Sequence, residues 1–305
     1  MLWPQLVMKT TGQYPHACEL DFLQFAAINH CDSADGVIDG IIMDPGACNF
    51  DPFELVGTPF FCSGTKSMMR LSHGAANVAQ AYHTGARSPD GSRLWYGPLW
   101  GSNLTSTIFG TPGLAATTCT EDGSSCKGRP FPFAMFWFRY FAMKDPDWDF
   151  ETITQEGFAR TFHLVAQEYA SIYGTSDPDL SLFRDAGGKM ITYHGLADEI
   201  TPPQGTEHYY NEVTKSTRDT EGFYRYFQVP GLGHCYGGNG GQPNYVFDAL
   251  RAWVENGTAP DTIPIDVPRI GQARRRVLCP YPQRIRLNVG NSLDQNDEVN
   301  FYCST

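Results

Sequence analysis

Two stretches near the C-terminus constrain this chain more than anything else in it. "GGKMITYHGLADEITPP" (187–203) reads as a turn, a buried strand and a loop, and "TPPQGTEHYYNEVTKS" (201–216) then reads as a helix. "GFYRYFQVPGLGHC" (222–235) again reads as strand and loop, and "PNYVFDALRAWVENG" (243–257) as a helix that Gly257 ends. Strand, loop, helix, repeated, is the grammar of a parallel α/β sheet. In such a sheet the loops that follow successive strands leave from the same edge. Whatever those two loops carry is therefore brought together.

The first loop carries Asp198 and the second carries His234. An aspartate that accepts the Nδ1 proton of a histidine fixes its tautomer and stabilises the imidazolium, leaving Nε2 as general base and then general acid. Each residue alone has a plainer explanation. Asp198 precedes Thr-Pro-Pro and suits a helix cap, and a loop histidine is usually just solvated. The pairing of the two just past strand ends is what points to catalysis. Acid before base in chain order is the α/β-hydrolase arrangement, which also needs a serine upstream on a Gly-x-Ser-x-Gly elbow. No such elbow occurs in the sequence. Ser63, in "FFCSGTK", lacks the first glycine and an enclosing strand and helix. Ser72, Ser102 and Ser181 have no elbow context. Two strands alone make a marginal sheet. The simplest expectation is that the rest of the sheet, and the serine, lie upstream of Met1.

The first 180 or so residues are organised differently. Leu20, Leu23 and Ala27 predict a helix over "ELDFLQFAAINHC", and residues 66–85 read as a second helix. Residues 86–130 read as an irregular region rich in Gly, Ser and Thr. The aromatic run 131–143 and residues 151–173 read as helices, the latter with acidic residues in its first turn.

Bulk properties exclude some functions. The net charge of −11 argues against nucleic acid as a partner, because phosphate binding wants a basic surface. No stretch approaches the ~18 uninterrupted apolar residues of a membrane span. Nine cysteines without any CxxC spacing, in a loop-rich acidic chain, point to disulfides and an oxidising compartment rather than to zinc. The sequons at Asn103 and Asn256 agree with secretion, although "MLWPQLVMKTTGQYP" lacks the features of a signal peptide.

A second kind of chemistry sits in "CDSADGVIDGIIMD" (31–44). Asp32, Asp35 and Asp39 are spaced by three and four, with glycines at 36 and 40. Hard oxygen donors on a tight loop suit Ca²⁺, with the carbonyls of Val37 and Ile41 as further donors. The loop is not an EF-hand, since Met43 stands where the twelfth-position glutamate would be. Solvated turn aspartates are the plain alternative, because Asp-Gly is ordinary turn chemistry.

The stretches "CDSADGVIDGIIMDPGACNFDP" (31–52), "ITYHGLADEITPP" (191–203), "VPGLGHC" (229–235) and "VLCPYPQ" (277–283) together resemble the fungal tannase and feruloyl esterase family, closest to feruloyl esterase B-like enzymes. The resemblance implies a secreted serine esterase of α/β-hydrolase fold with a large inserted lid domain and a structural Ca²⁺. It implies Asp198 and His234 as acid and base. It implies Asp32, Asp35 and Asp39 as side-chain ligands of the calcium, with Val37 and Ile41 binding through carbonyls. It also implies that Cys235 pairs with a cysteine directly before the nucleophilic serine. A pairing of Cys18 with Cys62, Cys31 with Cys48, Cys119 with Cys126 and Cys279 with Cys303 uses the other eight, although sequence alone does not fix connectivity.

The resulting division is residues 1–10 as a remnant of the hydrolase domain, 11–184 as the lid with its calcium loop, and 185–305 as the C-terminal part of the catalytic domain. The expected substrate is a small or cell-wall-derived aromatic ester. The aromatic run offers either a phenolic-acid pocket or simply lid core. "ARRRV" (273–277) is expected to be a solvated or salt-bridged surface segment. The competing reading is a calcium-stabilised module without catalytic activity.

Overall fold

The computed structural model describes residues 1–267, 274–287 and 301–304, and they divide into two compact units. The first comprises residues 1–27, 49–175 and 199–202, and the second residues 28–48, 176–198 and 203–305. This division differs from the three-part reading of the sequence. Residues 1–10 are helical and belong to the first unit, while the aspartate loop belongs to the second. The loop goes there because Ile41 is buried with Phe227, Val229, Leu232 and Ile265 in one apolar cluster.

The first unit opens with α1 (Trp3–Thr11), whose proline at the second position costs no hydrogen bond, and α2 (Ala17–Cys31). β1 (Pro59–Cys62) and β2 (Ser67–Arg70) form an antiparallel hairpin. The helix expected over 66–85 therefore starts late, as α3 (His73–Thr84), where the Ser72 side chain caps the Ala75 N–H. The irregular region holds one small hairpin, β3 (Thr117–Cys119) with β4 (Cys126–Gly128), tied by the Cys119–Cys126 disulfide. Ser63 lies exposed in the β1–β2 turn, so no strand-to-helix elbow forms around it. The aromatic run becomes α4 (Pro132–Trp137) followed by a wider helical turn over Phe138–Ala142. It packs with α5 (Gln155–Tyr169), whose Thr154 caps the Gly157 N–H. Leu2, Leu6, Leu20, Leu23, Val78 and Tyr82 are buried at the centre of this unit.

The second unit contains α6 (Ser181–Asp185) and a parallel pair, β5 (Met190–Gly195) with β6 (Tyr224–Val229), joined through α7 (Gln204–Ser216). The strand–helix–strand order read from the sequence is realised. α8 (Val246–Asn256) follows and ends at Gly257 in a left-handed cap. β7 (Ile263–Val267) pairs antiparallel with β8 (Arg274–Leu278), and β9 (Arg284–Leu287) with β10 (Phe301–Ser304). The four disulfides are the four pairs expected, and they leave Cys235 as an exposed thiol. Among the described residues no helix is long and apolar enough to cross a membrane.

Candidate acid–base site

The register of the parallel pair positions the site. β5 and β6 run in step from Met190 opposite Tyr224 to Gly195 opposite Val229, so both strands end at the same level. The loops beyond are then stitched together: Leu196 N–H donates to Val229 O at 2.9 Å and Ala197 N–H to Leu232 O at 3.0 Å. Gly195 makes this approach possible. A Cβ at that position would lie 2.2 Å from Leu232 O and 2.7 Å from Gly233 O, which no side chain tolerates.

The second loop folds on itself through its glycines. Gly231 has φ +69°, Gly233 N–H donates to Gly237 O, and a Cβ on Gly238 would meet Gly231 O at 2.3 Å. This compact turn presents His234. Its Nδ1 lies 2.9 Å from Asp198 Oδ2. Asp198 is 4% exposed and His234 27% exposed at the side chain, so the carboxylate is buried and the imidazole is reachable. A carboxylate so placed accepts from Nδ1–H and makes Nε2 the nitrogen that can take a proton. Cys235 follows with φ +68°, in the left-handed region that few side chains adopt without a constraint.

One participant is absent from the sequence reading. His194, near the end of β5, places Nε2 3.1 Å from the same Asp198 Oδ2, while its Nδ1 lies 2.7 Å from Thr206 Oγ1 on α7.

The aspartate loop is built separately. Asp32 is buried, and its carboxylate accepts from the backbone N–H groups of Asp39, Gly40 and Ile41 at 2.9–3.3 Å. Asp35 Oδ1 accepts from Val37 N–H at 2.9 Å. Asp39 pairs with the guanidinium of Arg276, which is 2% exposed. This corrects the surface expectation for 273–277. Arg275 is exposed and faces Asp266, but strand alternation turns Arg276 inward, onto Asp39. The remaining arginine side chain and Ala273 lie outside the described residues.

Burial raises the Asp35 carboxyl to about 6, and the charges of Asp39 and Asp32 push the same way against the opposing Val37 N–H bond and Arg276. Burial also raises Asp39, against the pull of Arg276. Arg276 pairs with Asp39 and acts on Asp35, so the three carboxylates, when ionised, exceed the one guanidinium by two charges, and that charge and donor chemistry fit a hard dication. The carboxylates do not already form a closed cage. Among the described residues the only three metal-ligating side chains with donor atoms within 4.8 Å of one another are His16, Cys18 and Cys62. Both of those thiols are consumed in the Cys18–Cys62 disulfide, so that cluster is not a metal site.

Comparison with known proteins now bears on this geometry. The family model described as tannase and feruloyl esterase matches residues 2–301. The chain belongs to the tannase and feruloyl esterase family. A probable feruloyl esterase of Arthroderma benhamiae is 34% identical over 99% of the chain and 55% of its own length. A mono(2-hydroxyethyl) terephthalate hydrolase of Piscinibacter sakaiensis is 30% identical over 94% of the chain and 51% of its own length. Among solved structures, the tannin acyl hydrolase of Aspergillus niger shares the fold with a TM-score of 0.87 at 24% identity, over all of the chain and 56% of that structure. Feruloyl esterase B from Aspergillus oryzae matches with a TM-score of 0.78 at 25% identity, over 99% of the chain and 60% of that structure. The chain thus spans about half the length of the relatives it matches.

Proposed function

We propose that Asp198 and His234 are the acid and base of a serine-type hydrolase of aromatic carboxylic esters. The observation that carries the reading is the 2.9 Å contact from His234 Nδ1 to a buried Asp198 at the ends of two adjacent parallel strands. This parallel pair, with its crossover helix, would be the C-terminal part of an α/β-hydrolase sheet. The first unit would be the inserted lid.

In the reaction, His234 Nε2 accepts the proton of a serine hydroxyl as that oxygen attacks the ester carbonyl. Asp198 stabilises the imidazolium through Nδ1–H. The same proton then passes to the departing alcohol, and a water repeats the sequence to release the acid. No residue of 1–305 is assigned as the nucleophile, because no serine here stands on an elbow. The aromatic run lines an apolar cavity of about 530 Å³ within the first unit, with Phe133, Trp137, Phe138, Phe158, Phe162 and Val165 among its walls.

Ca²⁺ would be structural, held by Asp32, Asp35 and Asp39 with the carbonyls of Val37 and Ile41, and it would offset the repulsion among the three carboxylates. Secretion fits four disulfides and two sequons, of which Asn256 is exposed at the end of α8. Methyl ferulate and methyl gallate hydrolysis, assayed with and without His234→Ala, tests the assignment. Activity abolished by His234→Ala supports it. Activity that survives His234→Ala overturns it.

A further inference from the structure

We propose that His194 is a positioning residue for Asp198, a second imidazole on the same carboxylate oxygen that holds the acid in place for His234. The inference rests on the acid–base reading of Asp198 and His234 and adds a third member with a defined tautomer.

Three contacts carry it. His194 Nε2 and His234 Nδ1 approach the same atom, Asp198 Oδ2, at 3.1 and 2.9 Å. His194 Nδ1 is 2.7 Å from Thr206 Oγ1. His194 and Asp198 are largely withdrawn from water, 13% and 4% exposed at the side chain.

The proton inventory follows from donor chemistry. An ionised carboxylate only accepts, so both imidazole nitrogens on Oδ2 carry hydrogen. His194 is then the Nε2–H tautomer, and its Nδ1 accepts the Thr206 hydroxyl proton. Thr206 thus occupies the lone pair that would otherwise take a second proton. A neutral, tautomer-locked His194 gives Asp198 a fixed donor without adding charge.

That donor has two consequences. It fixes the orientation of the carboxylate on β5's side, as outer hydrogen bonds do for residues that must be held in one geometry. It also draws electron density from Oδ2, which tempers how strongly Asp198 favours the His234 imidazolium. The other carboxylates close in sequence are engaged elsewhere. Glu207 on α7 accepts from Gln228 Nε2 at 3.1 Å and from the Tyr281 hydroxyl at 3.2 Å. Glu199 accepts from the Ile108 N–H at 2.9 Å.

The test is ¹⁵N NMR of the histidine ring nitrogens, which needs no esterase activity. In the parent protein His194 is expected to show a protonated Nε2 and a bare Nδ1 that accepts from Thr206. An Nδ1–H tautomer for His194 overturns the proposal even if every variant fails to fold. In ester hydrolysis, His194→Phe is expected to lower kcat about tenfold with KM little changed, which separates positioning from substrate binding, and His194→Gln, which restores an N–H donor, to return kcat toward the parent. A kcat unmoved in His194→Phe overturns the proposal as well. If ester hydrolysis is absent while His194 shows the Nε2–H tautomer, the esterase reading fails and the placement of two imidazoles on one carboxylate stands.

Discussion

Asp198 and Asp39 are both buried carboxylates of the second unit, 4% and 6% exposed at the side chain, and both sit on loops shaped by glycines. Asp198 faces two imidazoles, whereas Asp39 faces a guanidinium. An imidazole gains and loses its proton near neutral pH, and a guanidinium never gives its proton up. The Asp198 site can therefore move a proton, while the Asp39 site can only hold a fixed charge. The same residue type at the same depth is committed to opposite tasks by its partner.

The largest expected effect lies on the proton-moving side. Asp198→Asn keeps the shape but supports the wrong tautomer of His234, and ester hydrolysis should fall by about 10⁴ in kcat. Loss of less than tenfold would remove Asp198 from the mechanism. On the fixed-charge side the loss should appear as stability instead. Arg276→Met leaves Asp39 buried without its cation, and should cost about 3–5 kcal/mol in denaturant unfolding. An unchanged unfolding midpoint would show that the pair does not hold the loop.

Gly195→Ala tests the geometry between these extremes. Its methyl group would collide with Leu232 O at 2.2 Å, so the two strand-end loops must part. A displacement of about 1 Å at the base should lower kcat about 10²-fold. Wild-type kcat in this variant would mean that the loops need no such closeness.

The smallest effect concerns the calcium proposal and its pH dependence. Asp35 titrates near 6 in the folded chain, above its unfolded value of 3.8. A raised carboxyl pKa means that the folded state binds the proton more tightly, so without metal, stability falls as pH rises from about 4 to 6. Calcium needs the ionised carboxylate, so the calcium-dependent rise in Tm should be full above pH 7 and fade below pH 6. Asp35→Asn should lose the rise. A Tm indifferent to chelator at pH 7.5 would remove the metal from this loop.

Much of this was legible from the sequence where local pattern and tertiary demand agree. The order of "MITYHG" and "YRYFQV", each followed by a loop and a helix, foretells the parallel pair, because strand, loop and helix in that succession are a local pattern. What was not legible depended on distant partners. Residues 67–70 read as the start of a helix, but their pairing with 59–62 is a contact that local spacing does not reveal. Arg276 looked like surface because charge is usually solvated, and only the packing of the aspartate loop against β8 explains its burial. His194 was passed over for a similar reason. A histidine inside a strand signals nothing until Asp198 and Thr206 are seen on either side of it.

The central claim is that His234 is the base of an ester-hydrolysing site whose acid is Asp198. Steady-state hydrolysis of methyl ferulate, with and without His234→Ala, tests it most directly. The account predicts a loss of at least about 10³ in kcat with the fold intact by circular dichroism. Hydrolysis that survives His234→Ala within tenfold of the parent would contradict it.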